Sequence, residues 1–71
     1  RILKDQERAI FYSNWYYSAI RLSTSLPGDH TVDSIARKFS LPKGLVSEVV
    51  HFLLATGLCV EKNGKLSMGP S

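Results

Sequence analysis

Apolar and polar positions along this chain keep a helical period for most of its length and then switch to a strand-like one. In residues 14–25, NWYYSAIRLSTS, Trp15, Ala19 and Leu22 recur at i, i+4 and i+7, with Tyr16 and Ile20 beside them. That broad apolar stripe predicts a helix, which Asn14 or Ser13 can cap. The preceding stretch, 5–12, is also expected to be helical, and the pattern leaves open whether the two join through Ser13-Asn14. Leu26-Pro27-Gly28-Asp29 is a turn by its Pro-Gly pair.

His30-Thr31-Val32 has room for a very short strand. Thr31 is then an N-cap for a helix at 32–39, with Asp33 in the first turn where the helix dipole favours a carboxylate. Val32, Ile35, Ala36 and Phe39 share one face of it. Ser40-Leu41-Pro42 follows, and Pro42 suits the first turn of a third helix because its missing N–H costs nothing there. This helix is expected over 42–56, with Leu45, Val46, Val49, Val50, Phe52, Leu53 and Leu54 forming a wide buried face. Gly57 is placed to end it in the left-handed conformation. Then Leu58-Cys59-Val60-Glu61 and Lys65-Leu66-Ser67-Met68 flank Lys62-Asn63-Gly64. Asn-Gly between two strand-like runs signals a hairpin, since both residues tolerate the positive φ of its turn.

Length fixes the scale. A chain of 71 residues is one domain with one small core. A hydrophobic fraction of 44% and a charged fraction of 21% are those of a folded globular chain. The start at Arg1 and the end at Gly69-Pro70-Ser71 suggest a piece of a longer protein. No apolar run is long enough to span a bilayer, and the opening residues do not read as a signal peptide, so neither is expected. The lone Cys59 cannot form an internal disulfide, so the expected setting is cytoplasmic.

Charge is where the composition becomes informative. Residues 1–36 carry Arg1, Lys4, Arg8 and Arg21 against Asp5, Glu7, Asp29 and Asp33. Residues 37–71 carry Arg37, Lys38, Lys43, Lys62 and Lys65 against Glu48 and Glu61. The net charge of +3 therefore lies wholly in the second half. A basic half invites a polyanionic partner, and a solvated positive face is the plain alternative.

The spacing within 34–50, SIARKFSLPKGLVSEVV, sharpens this. A helix-turn-helix unit wants an apolar and then a small residue in its first helix, so that the second can cross at close range. Ile35-Ala36 supply these. Phe39, Ser40 and Leu41 stand at the next apolar, turn and core-plug positions, and Val46 and Val49 anchor the second helix. The turn position usually holds Gly for its left-handed backbone, so Ser40 departs from the pattern and implies strain or an altered turn.

With the hairpin after "LLATGL", the chain resembles a winged-helix domain of the class found in bacterial transcriptional regulators. The stretches "WYYSAIRL" and "SIARKFSLPKGLVSEVVHFLLATGL" are similar to one family of such bacterial regulators, and the resemblance covers 11–68. It implies a single winged-helix domain over 1–71, mainly α with a small β-hairpin. The recognition helix would be 42–56 and the wing 58–68. It suggests double-stranded DNA as partner, while winged helices also serve as protein–protein or dimerisation modules.

In such a domain the recognition helix enters the major groove. Lys43, Gly44, Ser47, Glu48 and His51 fall outside its apolar stripe. Lys43 could reach a phosphate or guanine, Ser47 a base edge or phosphate, and His51 a phosphate; Glu48 could accept from cytosine or repel the backbone. Arginine and asparagine, the commonest bidentate base readers, are missing from this face. Lys62, Asn63 and Lys65 form the wing tip, and Arg37 and Lys38 are candidates for backbone phosphates; ordinary solvation is the alternative for each.

Phe11, Tyr12, Trp15, Tyr16 and Tyr17 crowd seven positions. Trp15 and most of Tyr16 are expected in the core, leaving Tyr12 or Tyr17 against a partner, either a second copy or the remainder of a parent chain. No catalytic constellation, metal-ligand spacing, phosphate loop or cofactor motif is evident, so the expectation is a binding domain and not an enzyme. Cys59 is expected to be a small buried hydrophobe.

Overall fold

A computed structural model describes residues 3–70, apart from the side chains of Tyr12 and Ser13. The chain runs α1 (Asp5–Ser13), α2 (Trp15–Ser23), α3 (Val32–Phe39), α4 (Lys43–Ala55), β1 (Cys59–Lys62) and β2 (Lys65–Met68). It is mainly helical with one small antiparallel hairpin.

The question left open at Ser13-Asn14 has a clear answer: the helices are separate. Asn14 is extended, at φ −120° and ψ 112°, and serves as C-cap of α1 and N-cap of α2. Its side-chain amide donates to the Ile10 carbonyl (3.3 Å), occupying an acceptor that the end of α1 leaves open. At the start of α1, Glu7 accepts from the Lys4 backbone N–H at 3.0 Å.

The helix expected over 14–25 is shorter at both ends. Three consecutive hydroxyls stop it early: Ser23, Thr24 and Ser25 donate to the carbonyls of Ile20, Arg21 and Leu22 at 2.7, 2.6 and 2.7 Å. The backbone N–H groups of Thr24, Ser25 and Leu26 also reach back only three residues. Side-chain donation to these carbonyls competes with continuation of the α-helix.

α3 begins as expected. Ser34 N–H donates to Thr31 Oγ1 at 3.1 Å and Thr31 N–H donates to Ser34 Oγ at 2.9 Å, a reciprocal cap. It ends at Ser40, held left-handed at φ 55° and ψ 43°, while Leu41 N–H donates to the Ala36 carbonyl (3.0 Å). α4 occupies 43–55 and not 42–56. Pro42, with φ −60° and ψ 140°, is its cap instead of its first helical residue. Ser40 bends the chain and Pro42 keeps it extended for one residue more.

His30-Thr31-Val32 forms no strand, but the idea survives in part. The His30 carbonyl accepts a single bond from Leu66 N–H (2.7 Å), tying the segment before α3 to β2. The hairpin pairs Cys59 with Met68 and Lys62 with Lys65, and its turn residues Asn63 and Gly64 both have positive φ (54° and 77°). Past β2, Gly69 N–H donates to the Leu58 carbonyl at 2.8 Å, and a Cβ at Gly69 would run into the Gly57 carbonyl oxygen.

One core joins these parts. Ile20, Ile35, Val46, Val49 and Leu53 are almost fully buried, with Phe11, Ala36, Val50, Leu58, Cys59 and Leu66 around them. α4 is the central element: α2, α3 and β1 all pack on it. Trp15 corrects the sequence expectation. It is 62% exposed, and Leu22, on the same predicted stripe, is 58% exposed. Ile20 alone of α2's large apolar residues is fully buried, while Tyr16 and Tyr17 pack against the core from its edge.

Candidate nucleic-acid interface

Periodicity turns one face of α4 outward. Val46, Val49, Val50 and Leu53, at i, i+3, i+4 and i+7, are buried, so Lys43, Gly44, Ser47, Glu48 and His51 are left exposed. Gly44 has no atom close to where a side chain would begin, so the first turn of α4 offers open backbone. Arg37 and Lys38, in the last turn of α3, are exposed, as are Lys62, Asn63 and Lys65 at the hairpin turn. Every candidate contact in this set is therefore accessible to a partner.

Two of the five cations are already engaged. Lys43 Nζ lies 2.8 Å from Asp33 Oδ1, and Lys65 Nζ lies 3.2 Å from Asp29 Oδ2. All four side chains stay more than half exposed, so these are solvent-screened pairs that contribute little to stability. The Lys43 ammonium, through its hydrogen bond and its charge, holds the Asp33 carboxyl below the usual carboxylate range; Arg37 adds to this. Asp33, Ala36, Arg37, Leu41 and Lys43 line an open depression of about 360 Å³ between α3 and the start of α4. Arg37, Lys38 and Lys62 make no ion pair among the described residues.

Sequence reasoning missed both aspartates. It counted Asp29 and Asp33 with the first half of the chain, whereas folding lays each beside a lysine of the second half. The only available signal was their position in the turn and cap flanking the short segment that meets the hairpin. The charge asymmetry along the sequence is thus partly evened out in space.

Tyr17 is half-buried: its ring stacks on Tyr16 (centroids 5.4 Å apart) and meets Phe52 edge-on at 5.2 Å. Burial pushes its phenol up, with Tyr16 and the Glu48 carboxylate adding to the effect. Glu48 therefore stands near Tyr17, on the α2 side of α4. The Tyr12 side chain, the other expected partner contact, lies outside the described residues. Among the described side chains the exposed aromatic is Trp15 instead.

Cys59 is buried, with its Sγ 3.6 Å from Thr24 Oγ1, and burial raises its thiol above the ordinary value. A thiol kept protonated in this way is a poor nucleophile. Among the described residues no group of His, Cys, Asp and Glu is placed to hold a metal ion. No helix there is long and apolar enough to cross a membrane. No protein-family model, curated protein or solved structure matches the chain.

Proposed function

We propose that this chain is a winged-helix domain of a bacterial transcriptional regulator that binds double-stranded DNA. In this reading α3 and α4 are the helix-turn-helix and α4 is the recognition helix. The hairpin is the wing. One observation carries the reading: the outer face of α4 and the hairpin turn are mostly polar and accessible, and they hold three of the chain's lysines. The molecule measures 30 × 23 × 17 Å, so both elements fall within about one turn of duplex, roughly 34 Å.

The chemistry favours the backbone over the bases. Lys43, Lys62, Lys65, Arg37 and Lys38 supply charge for phosphates, while Ser47 and His51 supply hydrogen bonds. With no arginine or asparagine on the outer face of α4, direct readout rests on Lys43, Ser47 and Glu48. Affinity should therefore be strongly salt-dependent and only modestly sequence-dependent.

The test is charge reversal. Replacing Lys43, Lys62 and Lys65 together by Glu should abolish binding to a labelled duplex at low salt while leaving the fold intact by circular dichroism. Unchanged affinity would remove this docking surface. A second reading, a protein-interaction module that does not bind DNA, draws on Glu48 and on the exposed Trp15 and Leu22. It predicts no duplex binding by the parent chain at any salt concentration.

A further inference from the structure

We propose that the outer face of α2 is a self-association surface, at which two copies of this chain meet helix against helix about a two-fold axis. Trp15, Ser18, Ala19 and Leu22 lie at i, i+3, i+4 and i+7 and share one side of the helix. Trp15 and Leu22 are 62% and 58% exposed, and Ser18 and Ala19 are partly so. The Trp15 ring has edge contacts with Tyr16 (5.6 Å) and Phe39 (6.4 Å), which steady it without covering it. Leu26, 52% exposed, follows just beyond the helix. Trp15, Leu22 and Leu26 are three of the five large apolar side chains left exposed among the described residues, and Trp15 and Leu22 lie together on one helix face.

Three features make a second copy the occupant. The first is symmetry. Large, small, small, large reads the same in both directions, so an antiparallel partner sets its Leu22 against Trp15 at each end. Ser18 and Ala19 meet at the axis, where small side chains allow the helices to pack closely.

The second feature is charge. Two chains of net charge +3 repel each other, and α3, α4 and the hairpin carry Arg37, Lys38, Lys43, Lys62 and Lys65. α2 has one charged residue, Arg21, whose Nε is turned onto the Leu58 carbonyl at 3.2 Å. Like-charged copies that meet across α2 therefore keep these cations off each other.

Area supplies the third. A stable dimer buries about 800 Å² per partner, and one short helix face supplies less than that. The dimer is accordingly weak and transient. It leaves Lys43, Ser47 and His51 uncovered, so two copies could engage one duplex, but it holds whether or not α4 binds DNA.

Sedimentation equilibrium over roughly 20 µM to 1 mM, the range in which weak self-association shows, tests this directly. Fluorescence of the single Trp15 gives a second readout. The average mass should climb toward twice that of the monomer, with the Trp15 emission moving to the blue as the ring leaves water. Leu22→Glu should abolish both changes and keep the monomer's circular dichroism. Should that variant unfold, Trp15→Ser carries the mass measurement and should weaken association at least tenfold. A monomer throughout the range, or a dimer of full strength in a folded Leu22→Glu or Trp15→Ser variant, would overturn the proposal.

Discussion

The outer side of α2 and the outer side of α4 are both exposed helix faces on one core, yet they are opposites in chemistry. α2 shows Trp15 and Leu22 to solvent and turns its one cation inward onto Leu58. α4 buries Val46, Val49, Val50 and Leu53 almost completely, leaves Leu45 and Leu54 half-buried, and shows Lys43, Ser47, Glu48 and His51. The difference comes from position. α4 is packed by α2, α3 and β1, so most of its apolar stripe is covered. α2 is flanked by α1 and α4, and its stripe is broader than those two neighbours can cover. A central helix uses most of its apolar face in folding, whereas a peripheral helix retains more of it for a partner.

The largest effect comes from the core the two faces share. Leu53→Ala removes a fully buried side chain from α4 and should cost about 2–5 kcal/mol, measured by urea denaturation. In so small a domain that is a large part of the total stability, so DNA binding and self-association should fail together.

Charge reversal at Lys43, Lys62 and Lys65 separates the faces. It should lower duplex affinity by roughly a hundredfold or more at low salt and leave the association of α2 faces unchanged. Leu22→Glu should do the reverse. A variant that damages both properties while staying folded would show that the two surfaces are one.

The helix junctions offer a smaller contrast. Asn14 is in ordinary extended backbone, whereas Ser40 is held left-handed. Ser40→Gly should stabilise the fold by about 1 kcal/mol, read from the thermal midpoint, because glycine adopts that φ without strain. Destabilisation would mean that the turn depends on the serine side chain.

The smallest effect concerns Asp33. Asp33→Asn frees Lys43 and should raise duplex affinity a few-fold, by about 2–5 times, at low salt. The pair's contribution to folding has a definite sign. Asp33 has a lowered folded-state value, so its contribution is full above the ordinary aspartate range and is lost as pH falls through the lowered one. An acid titration of wild type and variant should therefore differ at neutral pH and converge in strong acid.

Much of this was legible in the sequence where local rules decide. Thr31 capped α3, Asn63-Gly64 turned the hairpin, and Ile35, Ala36, Val46 and Val49 took the buried positions their spacing assigned them. Other features depended on tertiary neighbours. Periodicity marks Trp15 and Leu22 as one apolar stripe but cannot say that no element lies over it. Charge counting marks the second half as basic but cannot see Asp29 and Asp33 folded against Lys65 and Lys43. The early end of α2 was a matter of local competition, in which three hydroxyls in a row outbid the helix for its own carbonyls.

The most direct test of the central claim is fluorescence anisotropy of a labelled random duplex titrated with this chain across a salt series. Binding whose logarithm falls with the logarithm of salt at a slope of about −3 to −4 is the predicted result, equivalent to roughly four phosphates neutralised by the α3, α4 and hairpin cations. No binding at low salt, or binding indifferent to salt, would contradict it.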